Sequence, residues 1–345
     1  MKKPFSPKRL SRLLYTLLAF FLTALILLYP SRSLTYALNG LTLWFDKMIP
    51  VLFPFMVLSG IMIRMDLTDA FVRLLRPILA PVFRLSSTCL YVIAIGFLCG
   101  FPMGAHVTAQ LYERKQLSRA EASLLLAFCN NIGPVYFLSF ALPASGLSAA
   151  EIPVFWMRTY PAVFLMGMYG LPLLYGLFLR YTIYRRSISC CDKAKRFGWR
   201  IGQRGAAFCR EGAASHTAIS LPQALDEAVF SGLNGIARLG GYMIFFNLLF
   251  LLPSLLTQYL PSDLTGLIQG AVGCVLEITG GIGLMGGAAP FFVLCILPFG
   301  GLSCIAQTYS MIKNTDLSLS EYVMHKAILT AVTVFYYFFL KQLMF

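Results

Sequence analysis

Charge is what this sequence has least of. Charged residues make up 12% of its 345 and hydrophobic ones 58%, at a mean hydropathy of +0.74. A soluble domain carries about 25% charged residues, so folding in water would leave apolar surface uncovered. Catalytic signatures are missing too: there is no G-x-S-x-G, H-E-x-x-H or Walker loop, and an enzyme is not expected. The nine cysteines show no CxxC spacing, which points to no metal site and no cofactor. Cys89, Cys99, Cys129, Cys274, Cys295 and Cys304 lie in apolar segments, where they act as small hydrophobes. Cys190, Cys191 and Cys209 lie near His216 in a basic loop, and a reducing cytoplasmic face would keep them free of disulfides.

Acid is scarcer still than base, and the net charge is +14. The position of the basic residues argues against nucleic acid as a partner. Lys2, Lys3, Lys8, Arg9 and Arg12 precede the first apolar run, and a second cluster extends from Arg180 to Arg210 with Asp192 its only acid. Short basic segments beside membrane spans mark the cytoplasmic side, and they are suited to anionic lipid headgroups. The N-terminal run resembles a signal peptide, but Tyr29-Pro30-Ser31-Arg32 is a poor cleavage site. It reads as a retained signal anchor.

Long charge-free windows fill the rest: Leu13–Tyr29, Met48–Ile63, Ser87–Tyr112, Ala122–Ala150, Thr159–Leu179, Leu239–Ser262 and Ile278–Ile312. A spanning helix needs about 20 apolar residues, so the two longest must fold back or break. Ala327–Leu340 is shorter, and snorkelling of Lys326 and Lys341 would extend it. The crossings before the basic loop (13–29, 36–63, 88–112, 118–142 and 154–180) are odd in number, whereas two cytoplasmic ends need an even one. Ala70–Leu85, with three arginines and two prolines, suits a short hairpin or an interfacial helix.

The halves repeat. Gly104 to Tyr112 and Gly301 to Tyr309 share the pattern G-x4-A-Q-x-Y, which pairs Gln110 with Gln307. Leu117-Ser-Arg-Ala-Glu121 and Leu317-Ser-Leu-Ser-Glu321 follow, each a helix start with a serine N-cap and a glutamate to close a capping box. Internal repeats are typical of secondary transporters, whose sites lie between the halves near the midplane. The expected fold is all-α: a polytopic transmembrane protein with two internal, inverted repeats, re-entrant hairpins and broken helices. Its divisions are an anchor at 1–33, a first repeat at 34–180, a basic cytoplasmic loop at 181–220 and a second repeat at 221–345.

Breaks at membrane depth need protein or water around them. Gly96, Gly100, Pro102 and Gly104 crowd one window, and Asn130-Asn131-Ile-Gly-Pro134 interrupts another. In the second half, Glu277-Ile-Thr279-Gly280-Gly281-Ile-Gly283 combines an acid, a hydroxyl and glycines where the backbone can unwind, and Pro298-Phe-Gly300-Gly301-Leu-Ser303 follows. Gly96 and Gly283 read as helix-packing positions, and His106 as a satisfied helix histidine. Glu277 is a functional candidate because a carboxylate in a membrane segment costs about 2.5–3.5 kcal/mol. The substrate-binding candidates are Gly100, Phe101, Pro102, Gly104, Gln110, Asn130, Asn131, Pro134, Glu277, Thr279, Gly280, Gly300, Gly301, Ser303 and Gln307, with no catalytic residue among them. The breaks of both halves should converge around Asn130, Asn131, Glu277, Thr279 and Ser303.

Gly100-Phe-Pro-Met-Gly-Ala105, Leu117-Ser-Arg-Ala-Glu121, Phe128-Cys-Asn-Asn-Ile-Gly-Pro134, Leu276-Glu-Ile-Thr-Gly280 and Phe299-Gly-Gly-Leu-Ser303 resemble the YlbJ-type sporulation integral membrane proteins, which carry the nucleoside-recognition, or Gate, domain. The resemblance covers the chain from roughly Asn39 onward, the basic insert at 181–220 excepted. It implies a fold related to concentrative nucleoside transporters and a multi-pass place in the outer forespore membrane. The implied function is export of dipicolinic acid from the mother cell. A nucleoside-like metabolite, or a non-transporting role in spore-envelope assembly, is the alternative, and a homo-oligomer is compatible with each.

Dipicolinate is a planar aromatic dianion, and a site for it needs amide donors, helix N-termini and an aromatic surface. Asn130, Asn131, Ser303 and Gln307 offer donors, and Phe101 or Phe299 the surface. Glu277 would repel a dianion unless it caps a broken helix, binds a proton or serves another substrate. The charge pattern predicts that reporter fusions near Arg196 will give a cytoplasmic signal, with the N-terminus on the same side. An extracytoplasmic signal there would overturn the orientation.

Overall fold

The computed structural model describes residues 7–144, 160–188 and 220–344. Most of the basic loop, with Cys190, Cys191, Cys209 and His216, lies outside the described residues. The protein is all-α, with no strand among the described residues. α1 (Pro7–Leu28) leads into α2 (Pro30–Arg64), a continuous helix with a π turn at Trp44–Met48. Short helices α3 (Thr68–Val72) and α4 (Arg76–Phe83) precede α5 (Ser87–Cys99), α6 (Met103–Glu113) and α7 (Arg119–Phe128). α8 covers 134–144 and α9 Val163–Tyr181. In the second half come α10 (Leu221–Leu256), α11 (Ser262–Leu276), α12 (Ile278–Met285), α13 (Pro290–Ile296), α14 (Gly301–Ile312) and α15 (Leu319–Met344).

Five of these segments are long and apolar enough to cross a membrane: α2, α9, α10, α13 with α14, and α15. α4 and α5 would make a sixth as one span bent by 110°. The charged Ala70–Leu85 stretch thus becomes two short helices at an angle to the next. In α1 the described apolar part, Arg12–Leu28, is shorter than those five.

Burial follows from composition. Beyond its first turn α7 has Ser123 as its one polar residue, and Ala122 and Leu124 to Phe128 are all buried. A helix of that kind belongs at the centre of a bundle, and α7 packs against α6, α9 and α15. α1 and the last turns of α15 instead turn Leu13, Phe20, Leu27, Phe335 and Phe339 outward. Outward apolar side chains are the expected pattern where lipid is the solvent.

Ser118 and Glu121 form the reciprocal capping box of α7. Ser318 likewise accepts from Glu321 N at 3.2 Å, but the Glu321 carboxylate accepts from the Tyr184 hydroxyl instead of reaching back. The two turns lie side by side: Tyr112 donates to Asp316 at 2.6 Å, and Arg119 approaches the same carboxylate at 3.5 Å. The Tyr112 hydrogen bond, ahead of the Arg119 charge, holds Asp316 below the usual carboxylate range.

The order of break, helix, turn and helix occurs in both halves. Gln110 pairs with His106, and Gln307 with Ser303, each four residues back and 3.0 Å away. The parallel then ends. α7 stops after 10 residues at the asparagines, whereas α15 continues for 26.

Gly280 and Gly281 lie within regular helix, not in unwound backbone. Their bareness serves close approach: a Cβ on Gly281 would meet Cys274 N at 2.1 Å. Gly283, expected at a helix contact, faces open space. Gly281→Ala should therefore destabilise the fold by about 1–3 kcal/mol through overpacking, whereas Gly283→Ala should be neutral or mildly stabilising. Thermal unfolding of the purified variants in detergent reads the contrast, and equal midpoints would contradict it.

Candidate substrate site

The site is built where broken helices cross. α5 ends at Gly100, whose φ of +85° places a Cβ only 2.3 Å from Gly133 N. Gly96 and Gly104 both press on the carbonyl of Cys129, where a Cβ would lie 2.2 and 2.3 Å away. The break at 100–102 and the break at 129–133 therefore touch backbone to backbone. Pro102 stands at the N-cap of α6, and Pro134 opens α8, where its missing N–H costs nothing.

The second half repeats the device. Gly301 opens α14 with its Cβ direction 3.1 Å from Cys274 O and 3.3 Å from Ile278 N, beside the break at Glu277. Gly300, at φ +75°, leaves room for the Phe101 ring, whose edge would meet a Cβ there at 2.9 Å. All four breaks thus converge, with Phe101 reaching from one pair to the other.

Side chains from opposite halves satisfy the polar groups exposed by the breaks. Asn130 donates to Thr308 Oγ1 at 2.9 Å and Tyr322 OH at 3.1 Å, and accepts from Ala105 N at 3.4 Å. Asn131 donates to Phe128 O and accepts from Lys326 Nζ at 3.1 Å. Lys326 also donates to the Asn130 carbonyl, and lies 4.6 Å from the Phe101 ring centre. The asparagines, expected as free donors, instead spend their amides on protein. Lys326 does not snorkel: it is fully buried in the core, while Lys341 is exposed. Lys326 is the eighth residue of the 26 in α15, near enough to its start for snorkelling to be the ordinary expectation, and packing turns it inward instead.

Glu277 is the N-cap of α12. Its carboxylate accepts from Thr279 N at 3.1 Å, Gly280 N at 2.7 Å and Asn247 Nδ2 at 3.2 Å. Of the roles open to this acid, the geometry is that of a helix cap, with its negative charge facing the positive helix end. Gly280 lies against Asn247 and Phe250, and Thr279 Oγ1 accepts from Tyr136 OH at 3.1 Å, a further tie between the halves.

A cavity of about 170 Å³ opens at this junction. Phe101, Tyr136 and Phe140 form aromatic walls, and Glu277, Thr279 and Gln307 polar ones. Asp46 and Lys47, which sequence reasoning passed over, line it from the π turn of α2. Drug-sized pockets run to roughly 300–1,000 Å³, so this one is suited to a small metabolite. Of the remaining candidates, Asn130, Asn131 and Ser303 are buried behind the wall, Gly100, Pro102, Gly104, Pro134, Gly300 and Gly301 shape the breaks, and Gly280 lies within α12, its N–H capped by Glu277. Gln110 is not on the wall.

Residues 45–143 match the family described as Gate, nucleoside recognition. The likeness to that family is confined to this stretch of the chain. That segment supplies Phe101, both asparagines and the aromatic walls, while Glu277, Gln307 and Lys326 come from outside it. Over 334 residues the chain is 26% identical to the sporulation integral membrane protein YlbJ of Bacillus subtilis strain 168, which covers 91% of this chain and 79% of that protein. The resemblance read from the motifs is thus shown along most of the chain. No solved structure matches it.

Removing the cap tests the site's construction. Glu277→Ala leaves the N–H groups of Thr279 and Gly280 without their acceptor at about 1–3 kcal/mol each, whereas Glu277→Gln keeps an acceptor and should lose less. Thermal midpoints should fall in the order wild type, Gln, Ala. An unchanged Ala variant would show that the cap does not hold the break.

Proposed function

We propose that this chain carries a small planar carboxylate across a membrane during sporulation, without converting it chemically. The observation that carries this reading is the aromatic cavity at the junction of four breaks, reached by residues of both halves. A transporter needs its broken segments around a substrate cavity, and a scaffold does not. By its likeness to YlbJ, the substrate proposed is dipicolinate, moved out of the mother cell through the outer forespore membrane, with the N-terminus and the basic loop in the cytoplasm.

Two features favour an anion. The start of α8 lies on the cavity wall at Gly133 and Val135, which puts the positive end of its dipole beside the cavity. The Glu277 charge is engaged by three donors, which lowers its repulsion of a carboxylate. A nucleoside-like substrate is the second reading, favoured by the Gate match and by Glu277 and Gln307 on the wall, where their oxygens could accept from sugar hydroxyls.

Deleting the gene in its sporulating host should yield spores depleted of dipicolinate and restored by external supply. Asn131→Ala and Glu277→Gln, at near-normal membrane levels, should fail to complement. Liposomes containing the purified protein should take up labelled dipicolinate in preference to uridine, and the reverse preference would favour the second reading. Full complementation by both variants would remove the site.

A further inference from the structure

Lys326 carries a charge that nothing else in the site answers. Four groups surround its nitrogen: the Asn130 carbonyl, Asn131 Oδ1 at 3.1 Å, the face of Phe101 at 4.6 Å and, farther off, the Tyr322 ring at 5.8 Å. Both oxygens accept from the nitrogen and both ring faces are electron-rich, surroundings that suit an ammonium. The Asn131 orientation is fixed independently, because its Nδ2 is committed to Phe128 O. No carboxylate among the described residues pairs with Lys326. A fully buried ammonium is thus held by two neutral oxygens and two rings, with Phe101 the nearer.

Such a charge lacks a counter-ion, and the architecture supplies a route for one. Phe101 is the common wall: it covers Lys326 and also lines the cavity. A ring face is a weak partner for an ammonium beside a carboxylate. The ring is half-buried against the neighbouring core cluster, and the bare Gly300 leaves space at its edge.

We propose that Lys326 receives the carboxylate of the substrate, with Phe101 as the movable partition between them. The incoming carboxylate replaces the Phe101 ring beside the ammonium. Asn130 and Asn131 keep the nitrogen aimed at the cavity and serve as positioning residues. This rests on the reading that the cavity takes a small carboxylate, and it names the group that would select for one.

Pyridine-2-carboxylate and its uncharged amide are probes that differ in charge and little in shape. In equilibrium binding to the purified full-length protein, the wild type should prefer the carboxylate at least tenfold. Lys326→Met should level that preference, read as the ratio of the two affinities in the same preparation, and Lys326→Arg should retain part of it. A wild type without preference, or a Lys326→Met variant that keeps it, overturns the proposal. Should Lys326→Met fail to fold, Phe101→Ala provides a second measurement. Lys326 there should become reactive to a water-soluble amine acylating reagent, as read by mass spectrometry. The carboxylate, but not the amide, should protect it; absence of labelling, or equal protection by both, overturns the proposal. A protein that selects the carboxylate yet moves nothing across liposomes would refute transport and leave the role of Lys326 standing.

Discussion

Backbone that leaves its helix in a low-dielectric interior must find new hydrogen-bond partners, and here the partners come from the other half of the chain. Lys326 on α15 holds the break at Asn130 and Asn131, Thr308 on α14 and Tyr322 on α15 take the Asn130 amide, and Tyr136 on α8 reaches Thr279. Without these ties each break would expose groups costing several kcal/mol. The pairing therefore accounts both for the survival of broken helices and for the place of the cavity. Segments that satisfy one another must lie together, and the space between them is what a ligand can enter.

The same constraint separates two kinds of glycine. At Gly96, Gly104 and Gly281 a Cβ would strike backbone, so these positions serve close crossing. At Gly300 the positive φ is itself the requirement, and Gly100 combines a positive φ with close backbone approach. Close crossing makes each pair of breaks one mechanical unit, since neither backbone can shift without displacing its neighbour. Motion in such a site would pass between units through side chains, above all the ring of Phe101.

Much of this was legible in the sequence because breaks leave strong local marks. An Asn-Asn-x-Gly-Pro run in an apolar window, or a glutamate before glycines, is hard to fit into an unbroken spanning helix. What was illegible depended on direction. Lys326 stands near the start of an apolar run, where a long cationic side chain ordinarily turns toward water, and only tertiary packing sends it inward. Glu321 matches Glu121 in spacing yet bonds Tyr184, because a tyrosine from a distant segment happens to be within reach. Gly283 looks like its neighbours in sequence and faces open space, since which side of α12 meets α11 is fixed by Gly281.

The π turn at Trp44–Met48 has a consequence for how this chain can change over generations. Trp44 donates to the carbonyl of Ile236 at 2.9 Å, and Arg64 pairs with Glu227 at 3.1 Å, so both ends of this stretch are anchored to α10. A π turn accommodates one extra residue within a helix, and each added residue rotates the rest of the helix by about 100°. Removing or adding a single residue between those anchors would turn the wall bearing Asp46 and Lys47 away from the cavity, with no loop to absorb the slip. Substitutions there are open to drift in a way that insertions and deletions are not: the stretch is constrained in length before it is constrained in letters.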